Sequence, residues 1–164
     1  MKGEFNMFVA SPITNKKGMF LFDQIAFEYD ALKWTDDIRA ARQHNPSLSG
    51  REAVKLVTKD TRWHWAVGNM PSPDIAETDY CAFAFNARAM ECLFGILDRD
   101  DFLDIGNGYY FLIYDKNPQG RDDSHIFVNK NGETIVDQVF KDRYVECGLT
   151  GLKFSDPSVP FWKR

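Results

Sequence analysis

The sequence predicts an α+β fold, an antiparallel or mixed sheet packed with two or three helices. Three observations predict it. Aromatic and β-branched residues alternate with period two in the first part of the chain. A capping-box spacing opens a helix at Ser49. In the C-terminal half, strand-like runs stop at an Asn and pass into stripes of helical spacing, twice over.

Taken in order, Phe5 to Val9 and Met19 to Trp34 are rich in Phe, Ile, Tyr and Leu. Phe20 alternates with Phe22, and Ile25 with Phe27 and Tyr29, so this region reads as a hairpin or meander starting at the Lys16-Lys17-Gly18 turn. Ser49 stands three residues before Glu52, and Ala53, Val54, Leu56 and Val57 then give the helix a short apolar face. Arg62-Trp63-His64-Trp65 follows, then a break at Pro71-Ser72-Pro73.

Cys81 to Phe85 reads as a strand stopping at Asn86, a good N-cap, after which Met90, Leu93, Phe94 and Leu97 form a helical stripe. The acidic turn Asp98-Arg99-Asp100-Asp101 leads to Phe102-Leu103-Asp104-Ile105. The Gly106-Asn107-Gly108 turn then leads to an aromatic strand from Tyr109 to Tyr114. A polar loop, Asp115 to Ser124, precedes the strand His125 to Val128, which ends at Asn129. Ile135, Val136, Val139, Phe140 and Tyr144 then read as one helical stripe, Gly148 as its C-terminal glycine and Leu149 to Phe154 as a closing strand. The C-terminal half thus suggests a repeated strand-helix-strand unit.

The 164 residues suit one domain, 1–164, and 44% hydrophobic with 15% aromatic content is the composition of a packed chain rather than a disordered one. A net charge of −4 argues against nucleic acid, which attracts basic faces, and suits a basic partner. Cys81, Cys92 and Cys147 are odd in number and widely spaced. They read as buried free thiols of a reducing cytoplasm rather than as a disulfide framework or a zinc site. The opening MKGEFNMFVASP lacks the apolar core of a signal peptide, and no run nears the roughly 20 apolar residues of a membrane span. The expectation is a cytoplasmic protein away from membranes.

Asp98, Asp100, Asp101 and Asp104 lie within seven positions. They read as a solvated acidic turn, as oxygen ligands for a hard cation, or as a patch that docks and steers a basic surface. The EF-hand pattern is not met, for want of its turn glycine and closing Glu. Trp63 and Trp65, alternating about His64, put both rings on one strand face as core or as interface anchors. The same two readings apply to Trp34 and to Phe161-Trp162. His44, His64 and His125 are far apart in sequence, and no nucleophile elbow, phosphate loop or zinc-protease motif occurs. The chain is therefore expected to be no enzyme, with no catalytic residues, no cofactor and no metal.

The run Gly148-Leu149-Thr150-Gly151-Leu152-Lys153-Phe154 resembles the closing Gly-Leu-x-Gly-x-x-Phe element of a family of bacterial immunity proteins found beside polymorphic toxins. The acidic approach from Asp74 to Asp79, then Phe83-Ala84-Phe85-Asn86 and the helix after it, are similar to the same family. The resemblance covers about residues 70–155, with Asn86 and Asn129 where the family pattern has Ser. It implies a cytosolic antitoxin that neutralises a neighbouring toxin in bacterial competition, and it transfers a role but no site. Charge and residue type nominate Asp98, Asp100, Asp101 and Asp104, then Asp122 and Asp123 of the polar loop, with Trp63 and Trp65 as anchors. The rival readings are a small metal-dependent hydrolase using the 98–104 turn with His64 or His125, and a non-catalytic adaptor or structural subunit, including one that forms a homo-oligomer.

Overall fold

The computed structural model describes residues 7–80, 82–113, 125–129 and 131–164. Cys81, the end of the expected aromatic strand at Tyr114, and the polar loop with Asp122 and Asp123 lie outside the described residues.

The elements in chain order are β1 (Met7–Pro12), β2 (Ile25–Phe27), α1 (Ala31–His44), α2 (Gly50–Thr58), β3 (Trp63–Trp65), β4 (Ile75–Glu77), β5 (Phe83–Asn86) and α3 (Ala87–Cys92). They continue with β6 (Phe102–Gly106), β7 (Tyr109–Leu112), β8 (Ile126–Val128), β9 (Thr134–Asp137), α4 (Gln138–Glu146) and β10 (Leu152–Ser155). Every strand pair within the three sheets is antiparallel, so the fold class is α+β.

The central sheet, ordered β4-β5-β7-β6, is covered on both faces. Strand alternation sorts its side chains. Ile75, Phe83, Phe85, Phe102 and Leu112 enter a first core with Ala89 and Leu93 of the α3 segment. Phe140 and Tyr144 of α4, and Ala10, Val136 and Leu152 of the outer sheet β10-β1-β9-β8, complete it. Ala76, Ala82, Ala84, Tyr109 and Phe111 face the other way, into a second core with Ile25, Phe27 and Trp63 of the small β2-β3 sheet. Small residues on that face leave room for rings: Tyr80 is stacked on both Phe27 and Trp34, at 4.4 Å each. Phe85, Phe111 and Phe140 are fully buried, each worth about 1.5–3 kcal/mol of hydrophobic stabilisation.

Helix α2 starts as expected, with the Ser49 side chain accepting from the Glu52 amide. The Lys16-Lys17-Gly18 turn is also present, closed by Asn15 and a bridge between Thr14 and Phe20. The strand expected to run on towards Trp34 stops at Phe27. Asp30 caps α1 through the Lys33 amide, and Trp34 lies on that helix, where its indole N–H donates to Thr58 of α2.

The repeat has a different register from the one expected. Its unit is a hairpin, an Asx cap and a helix: β4-β5-Asn86-α3, then β8-β9-Asp137-α4. Asn129 begins the tight turn of the second hairpin and caps nothing helical. Ile135 and Val136 belong to β9. As a strand paired on both sides it gives a continuous apolar run, which spacing alone does not separate from a helix start.

The Gly148 to Phe154 element has a structural cause at each step. The Leu149 amide reaches back to Tyr144 O and the Gly148 amide to Val145 O, a Schellman exit that requires the left-handed backbone of Gly148 (φ 65). Leu149 and Leu152 enter the first core. At Gly151 a Cβ would overlap the Ile75 carbonyl oxygen, so only glycine lets this turn lie on β4. Asp74, 8% exposed, binds the turn: it accepts from the Thr150 amide (3.0 Å), Asn86 Nδ2 (2.9 Å) and Arg88 Nη1 (2.7 Å).

Candidate functional site

The two helices of the repeat grip one another at their C-terminal ends. Arg88 of α3 donates to the carbonyls of Cys147 (2.6 Å) and Gly148 (3.4 Å), where α4 ends. Arg143 of α4 donates to the carbonyls of Cys92 (3.0 Å) and Phe94 (3.5 Å), where α3 ends. Helix C-termini carry unsatisfied carbonyls and partial negative charge, so each guanidinium stabilises the opposite exit.

The α3 exit differs from its expected course. The helix stops at Cys92 instead of reaching Leu97. Leu93 is fully buried, but Phe94 is 71% exposed. Ile96 and Leu97 turn back onto the core, and the chain enters a 3-10 turn, Arg99–Asp101. Phe94 is thus a large ring on a segment anchored on both sides, by Arg143 and by the core. The spacing of Met90, Leu93, Phe94 and Leu97 reads instead as one helical stripe.

The acidic turn follows directly. Asp98 caps the 3-10 turn through the Asp100 amide, and Asp104 accepts from the Gly106 amide. Asp101 is ion-paired with Arg51 of α2 at 2.6 Å, and Lys55 of α2 donates to the Asp100 carbonyl. So Asp101 serves the fold as a half-buried partner of α2. Asp98, Asp100 and Asp104 stay exposed, and of these the Asp98 and Asp104 side chains also close their own turns. Exposed Glu91, Phe94, Asp98, Arg99 and Asp100 follow one another along this segment, so the ring stands in a stretch with three acidic side chains and one basic one.

Trp63 is not available as an interface anchor. It is 9% exposed, and its indole N–H donates to the Ile105 carbonyl at 2.9 Å. Trp65 is half-buried against the rings of Trp63 (5.0 Å) and Tyr109 (5.3 Å). Both rings share one face of β3, as the alternation required, and that face is the second core.

The histidines are not gathered around the acidic turn. His64 lies 3.5 Å from Glu28, His125 Nδ1 lies 2.6 Å from Asp137, and His44 ends α1. Among the described residues no group of three or more His, Cys, Asp or Glu side chains is arranged to hold a metal ion. No helix among them is long and apolar enough to cross a membrane.

The shifted ionisable groups are mostly structural. Burial raises the pKa of Tyr109 to about 12, and its hydroxyl donates to the Pro73 carbonyl. Burial also raises Glu77. Burial alone would raise Asp23, but amides of Val67, Gly68 and Gln24 donate to its carboxylate and bring it below the usual range. Cys92 and Cys147 are free thiols, as expected, but half-buried rather than fully buried. No protein-family model, curated protein or solved structure matches the chain, so its function is argued from its own residues.

Proposed function

We infer that this chain is a cytoplasmic immunity-type protein that binds a cognate toxin one to one and blocks it by occlusion. The observation that carries the reading is Phe94, a ring exposed on a braced segment and followed in the next stretch of chain by exposed Asp98 and Asp100. Aromatic side chains are enriched at the dehydrated centres of interfaces, whereas rim charges act on approach and orientation. Phe94 is the anchor, and Asp98, Asp100 and Asp104 face basic groups of the toxin. The net charge of −4 favours such a partner, and the resemblance over residues 70–155 points to the same role. Occlusion asks no chemistry of the chain, so it needs neither catalytic residue nor cofactor.

Calorimetric titration of the purified pair tests this. Phe94→Ser weakens binding by about 30-fold, the effect of truncating a hot-spot residue worth about 2 kcal/mol. Asp100→Lys slows association and reduces its salt dependence. Unchanged affinity in a folded Phe94→Ser protein would remove this surface from the interface.

One feature favours the second reading, a self-associating adaptor. Met19, Phe20 and Leu21 are consecutive and all exposed, on a hairpin that Asn15 holds in shape. Three adjacent apolar side chains on an ordered tip are more than the scattered exposure usual on a surface. Sedimentation of the chain alone decides: a dimer that Phe20→Ser dissociates supports the adaptor, and a monomer at high concentration discounts it.

A further inference from the structure

The chain between β1 and β2 forms an ordered hairpin tip on elements separate from the Phe94 segment. Asn15 shapes it: its amide donates to the Met19 carbonyl (2.8 Å), and its side chain accepts from the Lys17 (2.8 Å) and Met19 (3.0 Å) amides. Gly18 supplies the left-handed residue of the turn (φ 79), and the Leu21 amide donates to the Ile13 carbonyl. Met19, Phe20 and Leu21 are all exposed on this tip. Just past them, Asp23 ties down a second loop: its carboxylate accepts from the Val67 and Gly68 amides, and Val67 is exposed there. Lys16 and Lys17 are exposed at the turn itself, and Lys153 Nζ donates to Thr14 Oγ1 at its base (3.5 Å). From Ala10 to Phe22 no acidic residue occurs, in a chain of net charge −4. Apolar side chains and positive charge are thus gathered on one tip of an otherwise acidic chain.

We propose that this hairpin tip docks the protein on an anionic lipid bilayer, with Met19, Phe20 and Leu21 entering the boundary between headgroups and acyl chains and Lys16 and Lys17 facing lipid phosphates. A bilayer surface offers both properties together, negative charge outside and hydrocarbon immediately beneath it. The same apolar side chains raise self-association as a second reading, and charge and area weigh against it. Two copies docked tip against tip would set the lysines of each against those of the other. A stable protein interface covers about 800 Å² per partner, far more than three side chains on a hairpin supply. The mode is peripheral, so it asks for no crossing helix, and it amends the expectation of a chain away from membranes. Phe94 and the acidic turn take no part in it, so the inference stands apart from the toxin-binding reading.

The test co-sediments the full-length protein with vesicles of phosphatidylcholine alone, and with vesicles of phosphatidylcholine and phosphatidylglycerol in equal parts. The expected result is binding to the anionic vesicles only, weakened by rising salt. The Lys16→Gln, Lys17→Gln variant should bind about 30-fold more weakly, and the Met19→Ser, Leu21→Ser variant roughly tenfold more weakly. All four side chains are exposed, so thermal melts of both variants should match that of the native chain. If the apolar variant misfolds, the lysine variant decides. No binding to anionic vesicles, equal binding to neutral ones, or full binding by a folded variant would each overturn the proposal. A chain that dimerises through the tip and leaves the vesicles bare would overturn it in favour of a second copy.

Discussion

The two hairpin–Asx–helix units follow one plan and end differently. In the second, Cys147 is the C-cap, Gly148 takes the left-handed position after it and Leu149 turns inward to the core. In the first, Leu93 is the C-cap and Phe94 occupies the slot that Gly148 fills in its counterpart. The exit of α4 is held at three points: Asp74 binds Thr150, Gly151 rests on β4, and Arg88 takes the last carbonyls. The exit of α3 shares the arginine brace but leaves a phenyl ring in water. Burying that ring would have contributed about 1.5–3 kcal/mol. The two exits thus differ in whether the residue after the C-cap is a glycine in the left-handed region or an exposed aromatic ring.

The comparison predicts unequal responses to substitution. The largest belongs to Gly151→Ala, whose Cβ meets the Ile75 carbonyl with no flexible atom to yield; a loss of about 4 kcal/mol or failure to fold is expected. Urea denaturation measures it, and a loss under 1 kcal/mol would mean the α4 exit is not tightly seated. Next comes Asp74→Ala, which leaves the Thr150 amide, Asn86 and Arg88 without their shared acceptor. It should cost about 3 kcal/mol, with Asp74→Asn milder because it keeps one carbonyl oxygen. Gly148→Ala forces an L side chain into the left-handed region and should cost about 1–2 kcal/mol.

Parts of both units are legible in the sequence: the strand and Asn86 cap of the α3 unit and the Gly148 exit of the α4 unit fold as read, whereas the α3 exit and the Asp137 start of α4 do not. Ser49, Asn86 and Gly148 announce helix ends because caps and left-handed exits require particular residue types. The Phe94 outcome is hidden, since Met90, Leu93, Phe94 and Leu97 fit a helical stripe that ends only because the chain turns back early. Helix α1 is hidden for another reason. None of its residues is fully buried, so its apolar stripe is thin, and Asp30 sits inside an alternating run that looks like strand. The acidic turn is legible as exposed charge, but the pairing of Asp101 with Arg51 depends on how α2 packs.

The most direct measurement is growth of cells expressing the reading frame beside this gene, alone, with the native chain, and with the Phe94→Ser, Asp100→Lys double variant. Both sites are exposed, so the variant should match the native stability within about 0.5 kcal/mol. The account predicts that the neighbouring product arrests growth, the native chain restores it through a one-to-one complex, and the folded variant does not. Full protection by the variant, or arrest that the native chain leaves untouched, would contradict it.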